Sequence, residues 1–259
     1  MTRIAYFIFG LVCHAMFLVV FLYMACFVGN LPVPKTIDGP LTGATPTHVS
    51  LIINAALLAL FAVPHSVMAR PGFKRVWTRI VPPAIERSVY VLIANLCVIV
   101  LMWQWRPIGP VIWDVPGFIG RALVWTLFAA GWLLVPLASL MINHFDLFGT
   151  RQVWNHLKQV IHSDVTFRTP MLYKIVRHPL YVGWIIAFWA TPTMTLGHVL
   201  FAGLMTAYIF IAIPMEERDL VTVYGSQYED YRRRVPALVP RLKVNGRERA
   251  MPEAQVTAQ

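Results

Sequence analysis

The sequence predicts an all-α, polytopic integral membrane helical bundle, and three observations carry that prediction. First, 58% of the 259 residues are hydrophobic and only 13% are charged, and the mean hydropathy is +0.61, too apolar for an ordinary soluble domain. Second, uncharged stretches of about 20 residues recur, the length that crosses a ~30 Å hydrocarbon core as a helix. Third, 19 of the 22 lysines and arginines fall on one side of the resulting topology and 3 on the other. Short cytoplasmic loops are enriched in these residues, so both termini and the two basic loops are expected in the cytoplasm, as in a bacterial inner membrane. That asymmetry, with attraction to anionic membrane lipid, accounts for the net charge of +10 and requires no nucleic-acid partner.

The elements follow in order. The stretch 4–30 sits where a secretory signal would, but it is long and has no small-x-small cleavage site, so it is expected to stay as the first helix. The stretch 48–69 is the second, and its Asn54 and His65 should face other helices or a cavity. The connection 70–87 holds Pro71, Pro82 and Pro83 among five basic residues and reads as a cap. Stretches 88–105 and 122–143 are the third and fourth helices, with Trp103, Trp105, Trp113 and Trp125 suited to an interfacial belt. In 151–163, Val153, Trp154, Leu157, Val160 and Ile161 follow helical spacing, which suits a helix lying in the interface.

The stretch 179–215 carries no Asp, Glu, Lys or Arg. As one helix it would be about 56 Å long, roughly twice what a bilayer needs. Thr191-Pro192-Thr193 and Leu196-Gly197-His198 supply breakers, predicting two shorter helices joined by a tight turn. Beyond Glu217, the stripe Leu220, Val223, Tyr224, Tyr228 and Tyr231 predicts a helix packed back on the protein. The chain thus divides into a four-helix membrane region (1–143), a second region holding the hairpin (144–242) and a flexible tail (243–259). Cys13, Cys26 and Cys97 all lie in apolar stretches without CxxC or metal-ligand spacing, so no metal site is expected.

Chemistry concentrates at the hairpin mouths, Arg177-His178-Pro179-Leu180-Tyr181-Val182-Gly183 and Glu216-Glu217-Arg218-Asp219. With Gly225, Tyr228, Tyr231 and Val235-Pro236, these resemble the isoprenylcysteine carboxyl methyltransferase and phospholipid methyltransferase superfamily. His65-Ser66-Val67-Met68-Ala69-Arg70-Pro71, Ile85-Glu86-Arg87-Ser88, Trp103-Gln104-Trp105 and Asn143-His144-Phe145-Asp146-Leu147-Phe148-Gly149 are similar to its methanethiol S-methyltransferase and NnrU-like branch. The resemblance implies S-adenosyl-L-methionine as the methyl donor. It implies that Arg177, His178, Tyr181, the backbone at Gly183, and Glu216 or Glu217 surround that cofactor. His178→Ala and Glu217→Ala are accordingly expected to weaken cofactor binding and leave the protein folded.

The same resemblance implies a small-molecule thiol acceptor, most simply methanethiol, giving dimethyl sulfide. A free thiol near pKa ~8.5 is largely protonated at pH 7, so a base or a positive environment is needed. His144 and Asp146 at the end of the fourth helix, or His65 in the second, are the base candidates, and Arg151 and Arg218 could stabilise a thiolate. Trp184 and Trp189 could wall the acceptor pocket or pack against helices and lipid. Two other readings remain: an isoprenylcysteine or phospholipid-type enzyme, which needs a lateral opening for a lipid tail, and a non-catalytic NnrU-like membrane protein. Nothing in the sequence specifies an oligomeric state.

Overall fold

The structure, a computed structural model, describes residues 1–40, 45–160 and 167–241. Its long helices are α1 (Thr2–Val28), α2 (Thr47–Ala69), α4 (Glu86–Gln104), α5 (Phe118–Ile142) and α9 (Leu196–Tyr224). All five are long and apolar enough to cross a membrane, and the first four are the spans that the uncharged stretches predict. Shorter elements are α3 (Pro71–Trp77), α6 (His144–Leu147), α7 (Thr150–Lys158), α8 (Pro179–Trp189) and α10 (Ser226–Arg234). The proposed flexible tail lies outside the described residues.

The hairpin departs from the expected pair of shorter helices. Its first arm, α8, has 11 residues and its second, α9, has 29. Glu216 to Asp219 do not start a new element. They continue α9, through Pro214, as far as Gly225, whose φ of +56° suits glycine and turns the chain into α10. The turn between the arms is also not a bare loop: β2 (Thr193–Thr195) pairs antiparallel with β1 (Val111–Asp114). Two such short strands, some 80 positions apart, leave no periodic signature for a sequence to show.

The expected interfacial helix over 151–163 is shorter. α7 ends at Gln159, which is left-handed, with the Val160 N–H donating to the Asn155 carbonyl at 3.0 Å. Val153 is fully buried against Gly10, so α7 is docked on α1.

Packing follows the ring α1, α4, α2, α9, α8, α5, with α5 and α8 in closest register. That closeness depends on two glycines. A Cβ on Gly131 would lie 2.6 Å from the Ala187 nitrogen and one on Gly183 would lie 3.0 Å from the Gly131 carbonyl oxygen. Gly131→Ala should therefore force the two backbones apart and cost about 1–3 kcal/mol, the scale of overpacking. An unchanged thermal midpoint in detergent would refute it.

One end of the bundle is plugged. Trp105 is fully buried rather than interfacial, donating Nε1 to the Ile37 carbonyl at 3.1 Å and standing edge-on to Phe201 at 5.7 Å. Asn54, also fully buried, holds the backbone of Arg106 by two hydrogen bonds of 2.7 and 2.8 Å. The start of α9 is sewn to the same segment, Leu196 N–H to the Pro110 carbonyl at 2.8 Å and Gly197 N–H to the Ile108 carbonyl at 3.2 Å. The other end is where the polar groups collect.

Candidate active site

A cavity of about 860 Å³ fills the interior of the ring, within the range of about 300–1,000 Å³ typical of small-molecule sites. Its walls come from both 1–143 and 144–242. The deep part is apolar; the mouth is polar and built by three groups of side chains.

The first group is fixed by the junction before α8. The N–H groups of Arg177 and His178 donate to the carbonyls of Pro236 and Ala237 at 2.8 and 3.1 Å, which holds the chain after α10 against the start of α8. Arg177 then donates Nε to Glu217 Oε1 at 2.7 Å and Nη1 to the carbonyls of Arg232 and Val235. His178 Nε2 lies 3.0 Å from the same Glu217 oxygen. Arg177, His178 and Glu217 are all nearly enclosed, with side chains 10%, 6% and 9% exposed. Glu216, one residue away on α9, is different: its side chain is 42% exposed, lines the cavity and accepts the Tyr181 hydroxyl at 2.8 Å. Tyr181 in turn stacks on the His178 ring at 5.4 Å. Beyond them Phe167 packs against Tyr224, Tyr228 and Tyr231 at 5.2 to 5.9 Å, an aromatic wall beside Arg168. Burial pushes the Tyr231 phenol up to about 12, so it stays a donor, here to the Tyr173 carbonyl at 2.6 Å.

The second group joins α2, α4 and α9. The Tyr90 hydroxyl lies 3.0 Å from the His65 ring nitrogens, and the Arg87 guanidinium sits 4.5 Å from the centre of the Tyr90 ring. Arg70 pairs with Asp219 at 2.8 Å, and the Ser66 hydroxyl donates to Tyr208 at 3.0 Å. All seven residues line the cavity.

The third group is His144, whose Nδ1 lies 2.9 Å from the Ser139 hydroxyl and whose Nε2 lies 3.2 Å from His14. Burial, and then the neighbouring His14, holds its pKa below the usual histidine range. Both effects favour the neutral form of the ring.

The sequence candidates thus separate. Arg177, His178, Tyr181, Glu216, His65 and His144 line the cavity. Gly183 faces α5, and its smallness serves helix packing. Glu217 points to the Arg177 and His178 side chains. Asp146 pairs with Arg151 at 3.1 Å, the latter half-exposed. Arg218 is exposed because, on a continuous helix at ~100° per residue, it lies opposite the face shared by Glu216 and Asp219. Trp184 lines the cavity, whereas Trp189 donates to Thr206 at 2.9 Å. Tyr90, Tyr208 and Arg168 are additions that the sequence reading missed. Tyr90, one turn after Arg87 and one turn before Ala94 on the same α4 face, is the one that a helical wheel shows.

The chain is similar to several known proteins. Over 240 residues the chain is 49% identical to a methanethiol S-methyltransferase of Mycobacterium tuberculosis, covering 93% of this chain and 98% of that protein. It is 49% identical over 243 residues to methanethiol S-methyltransferase 2 of Bradyrhizobium diazoefficiens, covering 93% and 92%. With a methanethiol S-methyltransferase of Crocosphaera subtropica it shares 44% over 240 residues, 93% of each chain. No solved structure matches. The family described as NnrU protein matches residues 53–242, nearly all of the cavity-forming elements after α1, and the chain belongs to that family.

Proposed function

We propose that this protein transfers a methyl group from S-adenosyl-L-methionine to methanethiol, giving dimethyl sulfide, in a membrane whose cytoplasmic face meets the polar mouth. The observation that carries the proposal is the pairing of Glu216, an accessible carboxylate, with an aromatic wall at the mouth of an otherwise apolar cavity. The donor set fits the cofactor: Glu216 for the ammonium, Arg168 for the carboxylate, and the rings of Tyr224 and Tyr228 with Phe167 for the sulfonium and adenine. Bound there, S-adenosylmethionine supplies an activated methyl group. The relatives' activity supports the same acceptor.

The chain's own contribution is to orient the acceptor, exclude water and remove the thiol proton. In this reading the His65–Tyr90 pair takes that proton under the positive field of Arg87, and His144 is the second imidazole on the wall. Asp146 is not needed for this step, because its carboxylate serves Arg151.

Purified protein, labelled S-adenosylmethionine and methanethiol should yield labelled dimethyl sulfide, while a farnesylcysteine analogue or phospholipid should not be labelled. His65→Asn is expected to lower kcat by about 10²-fold or more, with partial recovery at alkaline pH, and to leave cofactor affinity alone. Asp146→Asn should stay near native turnover. Transfer to the lipid acceptors alone would replace this function, and a severe Asp146→Asn defect would return the base assignment to the α6 corner.

A further inference from the structure

The cavity is far deeper than a two-atom acceptor needs. Along α9 its wall includes Phe201, Met205, Tyr208, Ala212 and Glu216, positions 3 or 4 residues apart on one face. From Glu216 to Phe201 is 15 residues, or about 22 Å of helix at ~1.5 Å per residue. Below the Tyr90 level α4 contributes Asn95, Val98 and Leu101, so the wall there is largely apolar. The far end is blind, with Phe188 edge-on to Phe201 at 5.1 Å and Trp105 behind it.

This shaft also has a side facing the membrane. The ring of helices is loosest between α1 and α5, where Phe21 bridges to Trp132 at 5.2 Å and Trp184 at 5.8 Å. Leu18 and Leu22 on α1 line the cavity and are at the same time 47% and 64% exposed on the outer surface of the bundle. Ile142, at the end of α5, does both as well. Side chains that face both a cavity and the hydrocarbon mark a lateral portal, and its chemistry admits uncharged, apolar molecules.

We propose that the shaft holds the hydrocarbon tail of an uncharged alkyl thiol entering from the bilayer through the α1–α5 seam, so that the protein methylates longer alkanethiols as well as methanethiol. This rests on the function proposed above. The thiol sulfur lies at the polar mouth and its tail extends down the shaft. The S–H proton passes to the base on the wall, and the thiolate lone pair forms the new S–CH₃ bond. The methyl–sulfonium bond breaks with its electron pair returning to the donor sulfur, leaving an alkyl methyl sulfide and a neutral thioether.

The test uses the full chain in nanodiscs with methanethiol, butanethiol, hexanethiol and octanethiol as acceptors. Each added methylene buried should lower KM about fourfold over the first members, and Met205→Phe should reduce the octanethiol-to-methanethiol ratio of kcat/KM. Independently of turnover, unreactive octyl methyl sulfide should raise the thermal midpoint of the unmodified protein more than dimethyl sulfide does. Turnover of methanethiol with flat KM values and no such difference in midpoint overturns the proposal while leaving the function intact. A lipid chain retained in the protein that octyl methyl sulfide cannot displace overturns it too. Failure with every thiol, methanethiol included, removes the function itself.

Discussion

Glu217→Ala should destabilise the folded protein by about 3–5 kcal/mol, the scale for removing one partner of a buried ion pair. Without that carboxylate the Arg177 guanidinium loses a 2.7 Å contact and His178 a 3.0 Å contact. Arg177 also braces the carbonyls of Arg232 and Val235, so α10 and the strand-like chain after it should loosen with it. The measurement is thermal or denaturant unfolding in detergent, with proteolysis near residue 235 as a local probe. Glu217→Gln retains an oxygen for His178 and should recover part of the loss. The sequence suggested instead that Glu217→Ala would stay folded and lose only cofactor; an unchanged unfolding midpoint with weakened binding would restore that view.

Glu216→Gln should behave oppositely. Its side chain is 42% exposed and makes one hydrogen bond, from Tyr181, so folding should hardly change. Losing a charge-assisted contact to the S-adenosylmethionine ammonium should cost about 1.5–3 kcal/mol, roughly 10- to 150-fold in affinity. Calorimetry on the purified variant reads this directly. Unchanged affinity with native stability would take Glu216 out of the cofactor site. The two neighbouring glutamates thus test separate claims, since one predicts an unfolding midpoint and the other a dissociation constant.

How far the sequence reached can be seen at these same residues. The hairpin mouths were legible because charged groups bordering a long apolar stretch stand out in any one-dimensional reading, and Arg177, His178, Tyr181 and Glu216 do meet at the cavity. Which of two adjacent glutamates faced the cavity was not legible. That depended on α9 running unbroken through Pro214, so that ~100° per residue sends Glu216 to the cavity, Glu217 to Arg177 and Arg218 to the outside. The resemblance implies that the backbone at Gly183 meets the cofactor, but a glycine announces close approach without naming what approaches; the structure shows α5 against it. His144 and Asp146 are near neighbours in sequence, yet residues two apart on a helix do not face each other, and the groups at the His144 nitrogens are Ser139 and His14.

By itself, then, the sequence determined the membrane class, four of the five long spans and the location of the polar mouth, because these rest on composition, stretch length and charge, all additive along a chain. Tertiary structure alone decided the pairing of β1 with β2, the His65–Tyr90–Arg87 group, and the deep shaft with its seam between α1 and α5. Each of these joins residues distant in sequence through side-chain direction and helix packing, and no local pattern encodes which faces of six helices will be brought together around one cavity.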